Sequence, residues 1–241
     1  MKYLAMLFMC NDEKRAEFVI ENFNKHNPEI HLVVYNGGKS AKYLSEKYDI
    51  ELIEGRNVWH NKTRHSPGSF DYEWFELLFK MHEKYDPDYL IFLETDVKVN
   101  RKIQKEPEYD IAGPVVSCGM MEQLVMYDYW DSYIKGENFH EDRYTNWDHK
   151  FHTGMGATAL SRNFFQTCKS KLNLVKQCYE LIPFNCYQDV LITCFARSCG
   201  CSMGDWSEVS DTRGTKRKIT DKQWRSESCD NNAALIHNYK I

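Results

Sequence analysis

No stretch of this 241-residue chain approaches the ~20 consecutive apolar residues of a membrane-crossing helix. The apolar run that opens it, through Cys10, stops at Asn11-Asp12-Glu13-Lys14-Arg15 with no small-residue cleavage site. It therefore reads as a buried first strand rather than a secretion signal. Neither sign of charge dominates: 31 Lys and Arg against 35 Asp and Glu leave a net charge of -4. That balance removes nucleic acid and anionic lipid surfaces as default partners of the whole chain. Repeats, low-complexity tracts and linkers are missing, and so are the paired CxxC units of a zinc site. The expected setting is the cytoplasm, where thiols stay reduced. The nine cysteines are then expected to pack as small buried hydrophobes, with a redox or metal role as the alternative. Cys199-Gly200-Cys201 is their only tight spacing.

What is present is an ordinary globular composition, 42% hydrophobic and 27% charged, which argues against disorder and fibres alike. Its length suits one domain spanning 1–241. Short apolar runs alternate with amphipathic segments. Residues 2–9 read as a strand, and Ala16, Val19, Ile20 and Phe23 share a helical stripe that ends before Asn27-Pro28. Residues 31–35 form a second strand, Ser40 caps a short helix through Tyr48, and 50–53 form a third strand. Phe70, Trp74, Leu77, Leu78 and Met81 predict a helix with an aromatic inner face. Residues 89–93 are apolar throughout, as a strand covered on both faces should be. Strands are also expected at 111–116, 155–160 and 233–236, and helices from Ser161 through Cys168 and over 188–197. Residues 117–152 read as long loops, and the basic run Lys216-Arg217-Lys218 as a solvated loop.

Alternating strands and helices imply right-handed βαβ units, hence an α/β fold with a mostly parallel sheet flanked by helices. Ligands bind such sheets outside the carboxyl ends of the strands. Those ends carry Asn11-Asp12, Asn36-Gly37-Gly38, Glu54 and Glu94-Thr95-Asp96. The last puts two carboxylates two positions apart at the mouth of a buried strand, a spacing that suits Mg²⁺ or Mn²⁺ bridging a diphosphate. Solvated acids at a strand end are the plainer alternative.

The stretch Leu90-Ile91-Phe92-Leu93-Glu94-Thr95-Asp96-Val97 resembles the acid-x-acid motif of the GT-A glycosyltransferases, whose Rossmann-like sheet binds a sugar nucleotide. The resemblance implies a metal-dependent transfer of sugar from a nucleoside-diphosphate donor, UDP-sugar favoured over GDP-sugar, to a hydroxyl of a glycan acceptor. It further implies a nucleotide-sugar-binding half over 1–100 and a loop-rich acceptor half over 101–241. Such enzymes often take a metal ligand from a histidine near the C-terminus, and His237 follows the apolar run 233–236. With an imidazole ligand, Mn²⁺ is favoured over Mg²⁺. Asp189 in Tyr187-Gln188-Asp189-Val190 resembles the catalytic base of inverting members, although Gln188 stands where many relatives carry Glu. A helix-dipole role for Asp189 and a plain strand-end role for His237 stay open. The loop-rich style is also similar to that of glycosyltransferases of large DNA viruses.

Within that reading, Asn11, Asp12, Asn36 and Thr95 are candidate nucleotide contacts, though turn chemistry accounts for such residues at strand ends as well. Arg56 and Arg64 are candidate cations for the diphosphate, or simply solvated. Trp147, His152, Thr153 and Gly154 suggest a sugar-binding wall, with Gly154 and Gly156 letting backbone approach the donor. Asp205 and Trp206 are candidates for stacking an acceptor sugar, the alternative for Trp206 being plain core. Two rivals remain: a sugar-nucleotide pyrophosphorylase, disfavoured because no Gly-rich phosphate loop follows the first strand, and a catalytically silent sugar- or nucleotide-binding module.

Overall fold

The computed structural model describes residues 1–55, 72–117, 151–153, 156–173, 192–193, 195–196, 199–211, 216–220, 223–226 and 232–237. In chain order the elements are β1 (Tyr3–Met9), α1 (Glu13–His26), β2 (His31–Asn36), α2 (Tyr43–Lys47), β3 (Glu51–Glu54), α3 (Tyr72–Tyr85), β4 (Tyr89–Glu94) and β5 (Lys98–Val99). There follow β6 (Ile111–Ala112), β7 (Val115–Ser117), β8 (Phe151–Thr153), β9 (Ala157–Ser161), α4 (Arg162–Lys169) and β10 (Met203–Gly204). The last are β11 (Val209–Asp211), β12 (Lys216–Thr220), β13 (Gln223–Ser226) and β14 (Leu235–His237).

The central sheet has seven strands in the order β10-β6-β9-β4-β1-β2-β3. β1 to β4 are mutually parallel where they pair, as the strand-helix alternation predicts, whereas β9 runs antiparallel to both β4 and β6. Side chains alternate across the pleat, so each strand feeds two cores. Leu4, Met6, Phe8, Leu90 and Phe92 point to the face covered by α3 and α4, where Phe75, Phe79, Phe164 and Phe165 pack. Ala5, Leu7, Met9, Ile91 and Leu93 point to the other, against Ala16, Val19, Ile20 and Phe23 of α1. Burial on both sides explains why β1 and β4 read as unbroken apolar runs.

The expected helix over 162–168 is capped as read, Ser161 Oγ accepting from Phe164 N–H at 3.0 Å. The short helix after β2 differs. It begins at Tyr43 with no side-chain cap, because Ser40 Oγ donates instead to Glu54 Oε1 at 2.6 Å and so ties the loop to the end of β3. The strand expected at 111–116 is two strands: β6 lies in the central sheet, while β7 pairs antiparallel with β8. Pro114, which has no N–H to donate, marks the break between them. Lys216-Arg217-Lys218, read as a solvated loop, instead opens β12, which pairs antiparallel with β13. Charge alone hid that strand from periodicity. Residues 118–150 lie outside the described residues. Among the described helices none is long and apolar enough to cross a membrane.

Candidate functional site

β4 delivers Glu94 as its last residue, paired in register with Phe8 of β1. The chain then turns tightly, Val97 N–H donating to Glu94 O at 3.2 Å, and the fully buried Val97 anchors the far side of that turn. Glu94 and Asp96 are thereby held on one side of a fixed bend. β5 follows at once and pairs antiparallel with β14, Leu235 opposite Val99 and Ile236 opposite Lys98. One step further along that register, the chain reaches His237 beside the bend.

The result is a compact triad. His237 Nε2 lies 3.5 Å from Glu94 Oε2 and 3.5 Å from Asp96 Oδ1. One ligand atom from each of the three residues falls within 4.8 Å of the others, the carboxylates half-buried and the imidazole buried. Neighbouring ligands of an octahedral divalent cation stand about 3 Å apart, from bond lengths of roughly 2.1 Å. Two carboxylates and one imidazole in this arrangement thus fit a divalent metal ion, with open positions toward solvent for further ligands.

Gly156 completes the triad. It lies just before β9, and its carbonyl accepts the Glu94 N–H at 3.1 Å. A Cβ on Gly156 would stand 2.0 Å from both Cδ2 and Nε2 of His237, so the imidazole occupies the space a side chain would need. The expected role of Gly156, a gap for the donor, is corrected here: the gap is filled by His237.

The neighbouring strand ends are arranged around the same edge. Thr95 Oγ1, between the two acids, donates to Asp12 Oδ2 at 3.3 Å, and Arg15 Nη1 lies 3.6 Å from that same oxygen. Asn11 adopts a positive φ of 52° and its Oδ1 accepts from Lys39 N–H at 3.1 Å. Asn36, almost fully buried, accepts from Gly38 N–H at 2.9 Å and donates to Lys39 O at 2.6 Å. Both asparagines shape the turns after β1 and β2, the turn chemistry the sequence left open.

Of the remaining candidates, Asp189, Arg56, Arg64, Trp147 and Gly154 lie outside the described residues. His152 and Thr153 sit in β8, paired with Val116 and Val115. Trp206 is 3% exposed within the α1-side core, and its Nε1 donates to Lys105 O at 3.0 Å. Its ring packs in the interior, which decides between the two readings in favour of core and corrects the stacking one. Asp205, next to it, is only half-buried. The pairing of β5 with β14 and the space at Gly156 were not read from the sequence. A two-residue strand carries too little periodicity to detect, and close approach of a ring to a glycine is a purely tertiary fact.

No protein-family model and no curated protein matches the sequence. Solved structures match in shape. The galactosyltransferase LgtC, in complex with donor and acceptor sugar analogs, is similar with a TM-score of 0.52 at 13% identity, over 98% of this chain and 86% of that one. Core-mannan synthase A of Aspergillus fumigatus, in its Mn/GDP form, is similar at 0.52 and 6% identity, over 95% and 81%. The glycosyltransferase GlyE of Streptococcus pneumoniae TIGR4 gives 0.48 at 10% identity; this chain covers 86% of itself but 46% of GlyE, less than half its length. At such identities the likeness speaks to fold, and the fold is the GT-A-like α/β architecture.

Proposed function

We propose that the protein is a metal-dependent glycosyltransferase, moving a sugar from a nucleoside-diphosphate donor to a hydroxyl of a glycan acceptor. The observation that carries this reading is the convergence of Glu94, Asp96 and His237 at the carboxyl edge of the parallel strands β1 and β4 in a mostly parallel sheet. Mere solvation of strand-end acids gives no reason for His237 to be buried against both of them.

Glu94, Asp96 and His237 would hold the metal ion, and the imidazole favours Mn²⁺ over Mg²⁺. When bound, such an ion supplies Lewis-acid stabilisation of the negative charge that builds on the departing diphosphate. Thr95, through Asp12, fixes the orientation of the segment that presents both acids. Asn11 and Asn36 shape the neighbouring turns, over which the base and ribose would lie. UDP is the favoured nucleotide, with GDP as the alternative. Residues 1–100 would serve mainly the donor and 101–241 the acceptor, with His237 reaching back across that division.

Asp189 is proposed as the base that accepts the proton of the acceptor hydroxyl, with inversion at the anomeric carbon. What supports this is the resemblance of Tyr187-Gln188-Asp189-Val190 to the base segment of inverting members. The test is a panel of UDP- and GDP-sugars with Mn²⁺, with and without a mixed glycan acceptor, read by release of nucleoside diphosphate. Metal-dependent release is expected, and Asp189→Ala should abolish acceptor-stimulated release while sparing donor binding. Release from no donor contradicts the transferase reading, and a product that retains the donor's configuration contradicts the role of Asp189.

A further inference from the structure

Cys168 and the closely spaced pair Cys199 and Cys201, some thirty residues further along the chain, meet on the α4 side of the sheet. Cys168, in the last turn of α4, is fully buried, and its Sγ lies 3.9 Å from Sγ of Cys201. It also contacts Cys199, which is partly exposed. The turn bearing Cys199 and Cys201 is held firmly to the helical segment before it. Cys199 N–H donates to Phe195 O and Ala196 O at 3.1 Å each, and Cys201 N–H to Ala196 O at 2.9 Å. Gly200 between them takes a φ of +86°, the left-handed conformation a glycine accepts without penalty, and a Cβ there would meet no atom within 4 Å. The turn therefore presents Cys199 beside open space and keeps Cys201 and Cys168 behind it.

The transferase chemistry uses none of these groups, and a structural packing role needs no such gradation of exposure. We propose that Cys168, Cys199 and Cys201 form a thiol–disulfide exchange site for low-molecular-weight disulfides of the glutathione class, with Cys199 as the entry thiol and Cys168 as the resolving one. The thiolate of Cys199 attacks one sulfur of the small disulfide, forming a mixed disulfide and releasing one thiolate. Cys168, losing its proton, then attacks Sγ of Cys199. The new bond joins Cys168 to Cys199, and the second small thiol departs with that proton. Two protein thiols are oxidised and one small disulfide is reduced, so electrons balance. Cys201, at 3.9 Å from Cys168, is placed to exchange into the same bond.

The electrostatics agree with this division of labour. A hydrogen bond from Cys168 holds the Cys199 thiol below its usual range against the opposing effect of burial, and the charge of Lys171 helps. Cys168 is pushed up by its bonds to Cys199 and Cys201 and by its burial, so it stays protonated while Cys199 is the free thiolate; the contribution of Cys199 ends once that sulfur is held in the mixed disulfide. The site stands independently of the transferase reading.

The full-length reduced protein is incubated with oxidised glutathione, alkylated, digested with trypsin without reduction and mapped by mass spectrometry. The tryptic peptide 163–169 carries Cys168 alone, and the peptide 198–213 carries Cys199 and Cys201. A disulfide joining these two peptides within one chain is expected. Recovery of Cys168 as the alkylated free thiol, at glutathione concentrations that oxidise other cysteines of the chain, overturns the proposal. Cys168→Ser should trap glutathione on Cys199, whereas Cys10→Ser should leave the cross-link intact. A folded Cys168→Ser protein with no adduct on Cys199 also overturns it, and the wild-type map decides the matter if that variant does not fold.

Discussion

The two edges of the central sheet are built on opposite principles. At the amino edge of β1 and β4, Asp86, Asp88 and Asp110 each meet donors or cations. Asp88 accepts from Lys2 N–H at 2.8 Å and pairs with Arg162 at 3.2 Å, and Asp86 lies 3.3 Å from that same guanidinium. Asp110 accepts from Ser161 Oγ, Asn163 Nδ2, Ser202 N–H and Ser202 Oγ at 2.7–3.0 Å. Burial pushes the Asp110 carboxyl up, but these bonds outweigh it and hold it below the usual carboxylate range. At the carboxyl edge two acids are gathered instead around one imidazole. Like charges at close range cost stability, so the first edge closes the fold and the second is poised for a cation. On the proposed reading, stability and function are divided between the ends of the same strands.

The contrast can be broken from either side. The largest effect is expected from Asp96→Asn, which should cut metal-dependent turnover by roughly a thousandfold, the several kcal/mol a Lewis-acid site supplies. Thermal stability should stay level or rise, since one of two neighbouring charges is gone. A large fall in Tm would mean that the acids are structural. Gly156→Ala comes next. Its Cβ must displace the imidazole, and a tenfold to hundredfold loss of Mn²⁺ affinity, of the order seen when a ligand's supporting shell is disturbed, is expected by titration. Unchanged affinity would show that His237 is not a ligand.

On the amino edge, Asp110→Ala leaves the serine hydroxyls and the Ser202 N–H without their acceptor. It should cost about 1–3 kcal/mol in urea denaturation while sparing Mn²⁺ binding. The smallest effect concerns His82, buried against Phe165 with ring centroids 4.3 Å apart. Burial holds its pKa below the ordinary 6.5. The unfolded chain therefore takes up a proton that the folded one resists, and stability falls as pH drops below about 6.5. His82→Phe should flatten the Tm profile between pH 7.5 and 5. An unaltered slope would assign the acid sensitivity elsewhere.

Much of this edge was legible in the sequence because it is made of local signals. β1, β2 and β4 announce themselves as apolar runs, and Glu94 and Asp96 follow such a run directly. His237 was found by its place after the apolar 233–236 stretch, on a resemblance rather than on periodicity. Elements with few residues or charged faces were not legible. β5 and β10 have two residues each, and β12 begins with three consecutive cations. Trp206 left two readings open because one residue cannot announce which way its ring turns. The thiol cluster was hidden for a different reason. Cys168 lies 33 positions from Cys201, and only packing of α4 against the turn after residue 196 joins them.

The measurement that bears most directly on the division between the two edges is calorimetric titration of UDP and GDP, with and without Mn²⁺, into the wild-type protein and into Asp96→Asn. The account predicts binding of one nucleoside diphosphate that requires Mn²⁺ and vanishes in Asp96→Asn. Binding of neither nucleotide with Mn²⁺, or equal binding by both proteins, would contradict it.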